Sequence, residues 1–285
     1  MSDLKKAVLF MFFSALAFAI MNGLVNSLND FSAYQLVFFR CIGTLIITTS
    51  LLTYKKIPIR GNKKLLLITR GLAGAISLLL FFSSLKFLPV GTAVTLRYLS
   101  PLFAAIFAVI WLKERIKPVQ WLLFLLAFAG VLVLKGFDSN MSLFGLGLIL
   151  LSAVLLGIVF VVIAKIGTQD HPMVIINYFM FLGTVIGGIL SISDWLNPVG
   201  LEWLLLGMLG VVGFVGQLYM TKAFQIASTN QIAPLKYLEV IFTVMIGAFW
   251  FLEIYTLWSL LGIVMVMTGL TLNFVYKERK PKFKE

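Results

Sequence analysis

Runs of about 20 apolar residues follow one another along the whole chain, with only short polar breaks between them. A polypeptide in lipid must satisfy its backbone hydrogen bonds internally, so each run reads as a spanning helix. Ten are counted, at 7–27, 33–53, 65–86, 90–112, 118–136, 143–165, 172–192, 201–222, 230–252 and 256–276. The breaks leave no room for a soluble domain, so residues 1–285 form one all-α integral membrane domain. Composition agrees: 61% of residues are hydrophobic and 12% charged, against about 45–50% and about 25% in soluble proteins. The first run follows Lys5 and Lys6 as a signal peptide would. It continues to Leu28, however, and is read as a retained helix. The single Cys41 excludes an internal disulfide framework.

Lysines and arginines in the breaks are strongly biased. With the N-terminus inside, 17 fall on the cytoplasmic side, and Lys86 and Lys135 alone fall outside. Both termini are therefore expected in the cytoplasm. The net charge of +12 is explained by this bias and by the basic tail at 277–285, so no nucleic-acid partner is expected.

One stretch occurs twice. Residues 91–114 and 230–253 share Leu96/Leu235, Tyr98/Tyr237, Leu99/Leu238, Phe103/Phe242, Trp111/Trp250 and Glu114/Glu253 at an offset of 139. A cation precedes each shared tyrosine, Arg97 in one copy and Lys236 in the other. Gly71, Gly74 and Ser77 match Gly210, Gly213 and Gly216 at the same offset, as Gly130 matches Gly269. The chain thus divides into five-helix repeats at 7–136 and 143–276. An odd helix number makes the second repeat enter the membrane from the opposite side, an inverted arrangement common in secondary transporters.

Several motifs resemble the drug/metabolite transporter superfamily in its ten-helix EamA-type branch. They are Arg40, Arg70-Gly71, Ser100-Pro101, Gly130-Val131 and Glu253, with Leu112-Lys113-Glu114-Arg115 resembling that family's Leu-Gly-Glu-Arg ending of helix 4. Lys113 stands where the family usually has glycine. The resemblance covers essentially the whole chain. It implies an inner-membrane carrier of small organic solutes with a central cavity, working by alternating access.

Five charged residues lie within the spans away from their outermost residues: Arg40, Arg70, Arg97, Lys236 and Glu239. A charge at a helix centre costs about 2.5–3.5 kcal/mol on insertion scales. Arg40 is read as structural, bonding backbone carbonyls, and Arg70 as reaching back to the surface. Arg97 and Lys236 lie about seven residues into their spans, roughly 10 Å deep, and are the leading substrate-binding residues. Glu239, three residues after Lys236, reads as its ion-pair partner, with proton coupling as the sharper option. Asn22, Asn26, Tyr98, Asn177, Tyr178, Gln217, Tyr219, Gln231 and Tyr237 are candidate cavity residues. Pro101 and Pro234 break the helical ladder, as simple kinks or as gating hinges. Trp111, Trp250, Glu114 and Glu253 read as helix-end features.

The function expected is secondary transport of a small metabolite bearing a carboxylate or zwitterionic group, such as an amino acid. A phosphorylated-metabolite or organic-anion exchanger is the alternative, since Arg and Lys also suit phosphate. A channel would show charge rings or a carbonyl filter, and an enzyme a catalytic constellation; neither is evident. No motif requires a metal or cofactor. The expected partners are the substrate and the lipid bilayer, with a homodimer left open.

Overall fold

The computed structural model describes residues 3–28, 30–84, 87–88, 93, 96–135, 142–250, 252 and 257–278. Among the described residues there is no strand. Ten helical elements follow in order: α1 (Asp3–Asn26), α2 (Ala33–Tyr54), α3 (Lys64–Ser84), α4 (Ser100–Leu112), α5 (Pro118–Lys135), α6 (Leu143–Ile166), α7 (Pro172–Ser191), α8 (Leu201–Ile226), α9 (Thr229–Trp250) and α10 (Leu257–Glu278). Among the described residues seven are long and apolar enough to cross a membrane, and α4, α5 and α10 carry shorter apolar stretches. The start expected for helix 4 near residue 90, Lys86, Glu253 and the tail from residue 279 lie outside the described residues.

The burial pattern is that of a protein solvated by lipid. Leu9, Ile46, Leu122, Phe181, Val211 and Trp258 point outward, while Ser14, Thr44, Thr48, Ser77 and Thr221 are wholly buried. The buried hydroxyls are mostly bonded to backbone carbonyls of their own or a facing helix, which removes the cost of dehydrating them.

The helices pair by a two-fold rule. Helix α1 packs on α8 and α6 on α3; α2 packs on α8 and α7 on α3; α4 packs on α6 and α9 on α1. Helix α2 packs on α7, and α5 on α10. Advancing every helix by five places maps these pairs onto one another. Individual atoms follow the rule. Ser14 donates to the Gly216 carbonyl at 2.9 Å, and Ser152 to the Ser77 carbonyl at 2.6 Å. A Cβ on Gly130 would lie 2.8 Å from the Gly262 carbonyl oxygen and Val266 N; one on Gly269 would lie 2.9 Å from the Leu123 carbonyl oxygen and Ala127 N. Helices α5 and α10 therefore touch backbone to backbone at two related points. Of the glycines spaced by three in α8, Gly210, Gly213 and Gly216 meet α2 or α1, whereas Gly207 faces open space.

Both copies of the repeated stretch depart from a plain helix. In α9 an opening α-turn (Thr229–Ile232) passes into a 3-10 segment (Ala233–Tyr237) before regular helix resumes at Leu238–Trp250. Pro234 sits at the start of the 3-10 segment. Before α4, Ala93, Leu96 and Arg97 are helical, a turn at Tyr98 and Leu99 interrupts, and regular helix resumes at Ser100 with Leu99 as its N-cap. Pro101 therefore occupies the first turn, where its missing N–H breaks no bond. The helical ladder is interrupted just before it, at the Tyr98–Leu99 turn, and Pro101 opens the regular helix that follows.

The two stretches also end alike. Lys113 closes α4 in the left-handed conformation (φ 55°), and Leu252, at the 139 offset, has the same φ. That geometry favours glycine, which accounts for the glycine usual at the Lys113 position. Beyond it, Glu114 is more than a helix-end feature. Its carboxylate accepts the backbone N–H groups of Thr229 and Asn230, at 2.8 and 3.1 Å, and so holds the start of α9. At the same Lys- and Arg-rich end, Asp170 accepts the backbone N–H groups of Asn62 and Lys63, just before α3.

Candidate functional site

The breaks in helical geometry set the site. A 3-10 segment turns about 120° per residue instead of 100°, so Lys236 and Tyr237 diverge more than on an α-helix. Lys236 turns toward α1. Its ammonium pairs with the Glu239 carboxylate and lies 4.2 Å from the centre of the Phe18 ring. Asn22, one turn beyond Phe18 on α1, donates to Glu239 Oε1 at 3.3 Å and to Thr243 Oγ1 at 3.4 Å. Glu239 thus receives an ammonium and an amide, and the pair is held from two helices.

Tyr237 turns the other way. It is fully buried and packs with Ala127, Val131, Val240 and Val266 on the α5–α10 side. Its hydroxyl donates to the Tyr98 carbonyl at 2.9 Å, and the two rings lie 6.2 Å apart. Tyr237 has no exposed surface to offer a ligand in this state. The tyrosine pair joins the two irregular stretches to each other, while the cations face α1, α2, α3 and α8.

Arg40 is the hub of the cations. Its guanidinium carbon lies 5.8 Å from the Phe18 ring centre that Lys236 also approaches. It is within electrostatic reach of Glu239, Arg70, Arg97 and Lys236. The alkyl stem of Arg40 runs over Gly213, where a Cβ would stand 3.3 Å from Cγ, so the bare α8 backbone makes room for it. The carbonyl partners expected of Arg40 are not found for its Nε, which is buried with no hydrogen-bond partner among the described residues.

Arg70 does not reach the surface as expected. It is 1% exposed, donates to Gln217 Oε1 at 3.3 Å and lies over the Phe179 ring at 4.4 Å. Gly74, one turn on, leaves space for the guanidinium: a Cβ there would stand 2.8 Å from Arg70 Nη1. Arg97 lies 4.3 Å from the Phe81 ring centre. The Nε atoms of Arg70 and Arg97 are also buried without a partner among the described residues.

The fold therefore brings Arg40, Arg70, Arg97, Lys236, Glu239, Asn22 and Gln217 into one interior region. It takes others elsewhere. Tyr219 packs at a tilt against Phe10 and Phe13, and Lys222 lies 5.7 Å from its ring centre. Asn177 clasps α7 to α2 through Thr48 and Thr49 at 3.1 and 2.8 Å. Gln231 bonds Ser228 at the head of α9. The aromatic faces over the cations, Phe18, Phe81 and Phe179, were not singled out in the sequence. Phenylalanine is too common in such a chain to mark them; for Phe18 the one signal was its place a turn before Asn22. Trp111 and Trp250 are largely exposed at helix ends.

Known proteins share this architecture. One solved crystal structure, 18% identical, superposes with a TM-score of 0.85 over 96% of this chain and 99% of its own. The pseudopaline exporter CntI of Pseudomonas aeruginosa (strain UCBPP-PA14) is 31% identical over 271 residues, covering 93% of this chain and 95% of that protein. Human solute carrier family 35 member G1 is 27% identical over 274 residues, covering 90% and 75%. An S-adenosylmethionine uptake transporter of Rickettsia bellii is 24% identical over 259 residues, covering 89% and 87%. The relatives whose names state an activity are transporters, not enzymes. The EamA-like transporter family matches twice, at residues 5–135 and 143–275; this chain, a multi-pass membrane protein, belongs to that family.

Proposed function

We propose that the chain is a secondary transporter that moves a small organic metabolite across the cytoplasmic membrane by alternating access. The metabolite bears a carboxylate or is zwitterionic. The observation that carries this reading is the gathering of Arg40, Arg70, Arg97 and Lys236 inside the bundle, where among the described residues of the site Glu239, paired with Lys236, is the one carboxylate. Ionisable groups at such depth are expensive, and where they are kept they mark substrate and ion pathways. Relatives named for export of one small molecule and uptake of another support a carrier of metabolites and leave the direction open.

In this reading the repeats at 7–136 and 143–276 rock against each other around the cations. Both termini face the cytoplasm, because the Lys- and Arg-rich breaks gather there. Arg97 and Lys236 present one binding element from two sides, and Glu239 pairs with Lys236, with proton coupling as its second role in this reading. The substrate and the lipid bilayer are the partners.

Counterflow tests the reading. Proteoliposomes preloaded with candidate metabolites should take up labelled solute saturably, and Arg97→Ala and Lys236→Ala should each lose uptake while still inserting. Unsaturable current would replace the carrier by a channel. Unchanged uptake in both variants would remove the cation site.

A further inference from the structure

The charges inside the bundle do not balance, and the imbalance has a definite chemistry. Among the described residues of the site there are three guanidinium groups, one ammonium and one carboxylate, and the ammonium already holds the carboxylate. The guanidiniums of Arg40, Arg70 and Arg97 thus have no carboxylate of the site to themselves. Arg70 meets only the neutral amide oxygen of Gln217. All three keep a buried Nε without a hydrogen-bond partner among the described residues. A buried charge without a counter-charge is costly, and a buried donor without an acceptor adds to that cost.

The geometry points to what removes both costs. Phe179 and Phe81 lie 4.4 and 4.3 Å from the guanidinium carbons of Arg70 and Arg97. An aromatic ring attracts a cation through its π-face. It leaves the N–H edge of the guanidinium, the edge that a carboxylate engages with two parallel bonds. Arg40 and Arg97 keep some accessible surface and Arg70 keeps almost none. One carboxylate would leave at least one guanidinium uncompensated.

We propose that this site takes a substrate with two or more carboxylates on one small skeleton, held by Arg40 and Arg97 and backed by Arg70. The proposal rests on the transport reading above and narrows its substrate class. Lys236 remains part of the binding element, but Glu239 already meets its charge, so the second carboxylate falls to the arginines. Gln217 and Asn22, bonded to Arg70 and Glu239, are neutral and add no anion to offset the guanidiniums.

The test uses the purified full chain in nanodiscs. Its thermal unfolding midpoint is titrated with butyrate, succinate and tricarballylate at constant ionic strength, with chloride and inorganic phosphate as controls. The expected result is an apparent affinity at least tenfold higher for succinate than for butyrate, and higher again for tricarballylate. Arg97→Lys keeps the charge but loses the fork and should reduce the succinate-to-butyrate ratio. Arg97→Gln and Arg40→Gln should collapse it to below threefold. The proposal is overturned if the three acids shift the midpoint equally, if none shifts it, or if phosphate matches tricarballylate. Counterflow separates the two readings. Saturable counterflow of a monocarboxylate without the affinity ordering would sink the polycarboxylate class and leave the carrier standing. The ordering without counterflow of any solute would leave the binding site standing and remove the carrier.

Discussion

The Tyr237 hydroxyl donates to the backbone carbonyl of Tyr98, 139 residues away, at 2.9 Å. The donor and acceptor residues occupy equivalent places in the repeated stretch, each directly after its cation. One hydrogen bond thus ties the irregular segment before α4 to the irregular segment of α9. Tyr237→Phe keeps the buried ring and removes the bond. The expected loss is about 1 kcal/mol, the usual net worth of one hydrogen bond and the middle of the range found between membrane helices. Thermal unfolding in detergent measures it, and counterflow of the same variant shows whether the tie also affects transport.

Lys236 and Glu239 form a mostly buried pair, with side chains 13% and 12% exposed. Removing one partner strands the other. Lys236→Met should destabilise by about 3 kcal/mol, while Lys236→Met/Glu239→Gln should recover most of that loss. A double-mutant cycle in stability is the measurement. Additive effects would mean that the pair is not coupled in the folded state.

Where α5 and α10 meet, no side chain fits. Gly130→Ala and Gly269→Ala each place a Cβ within 2.9 Å of facing backbone atoms, so each should cost about 1–3 kcal/mol through overpacking. Gly207→Ala, which meets nothing within 4 Å, should stay within about 0.5 kcal/mol of the parent. Unfolding midpoints of the three variants side by side decide the matter.

Lys113 holds a left-handed backbone conformation at the end of α4. A residue with a Cβ carries about 1–2 kcal/mol of steric cost there. Glycine loses part of that advantage through its freedom in the unfolded chain. Lys113→Gly should therefore stabilise by up to about 1 kcal/mol, and Leu252→Gly likewise. A lowered midpoint would show that the Lys113 side chain makes a contact worth more than the backbone strain.

His171 caps α7, its Nδ1 accepting the Met173 N–H at 3.3 Å. Partial burial, then the nearby Lys55 and Lys222, holds its pKa below the usual histidine value of 6.5. The unfolded chain therefore takes up the proton at higher pH than the folded one. The cap's contribution is complete above about pH 6.5 and is lost as pH falls from there through the depressed folded value. Melting at pH 7.5 and 5.5 should show a drop on acidification, reduced in His171→Asn, which caps without titrating.

Much of this arrangement was legible in the sequence, because its determinants are local. Apolar run length fixed the spans, and the 139 offset marked pairs such as Gly130 and Gly269 that turn out to share one contact. Charges inside the runs located Lys236 and Glu239, which are neighbours along the helix. What was not legible depended on backbone geometry or on a distant partner. Tyr237 parts from Lys236 because the segment is 3-10. Arg70 stays inside because Gln217 and Phe179 meet it from helices far along the chain. Glu114 holds α9 only because α9 begins beside it in space.

The glycine contact between α2 and α8 has a mechanical consequence. A Cβ on Gly43 would lie 2.8 Å from the Cα of Gly210, and one on Gly210 would lie 2.7 Å from the Cα of Gly43. Two backbones already touching have no cushion of side chains to compress. At that point the helices cannot close further, so in the rocking motion proposed above the crossing would serve as a fulcrum. Arg40 on α2 lies one turn from it, beside Gly213. A small swing about the fulcrum changes the direction of that guanidinium while leaving its distance from the pivot nearly fixed.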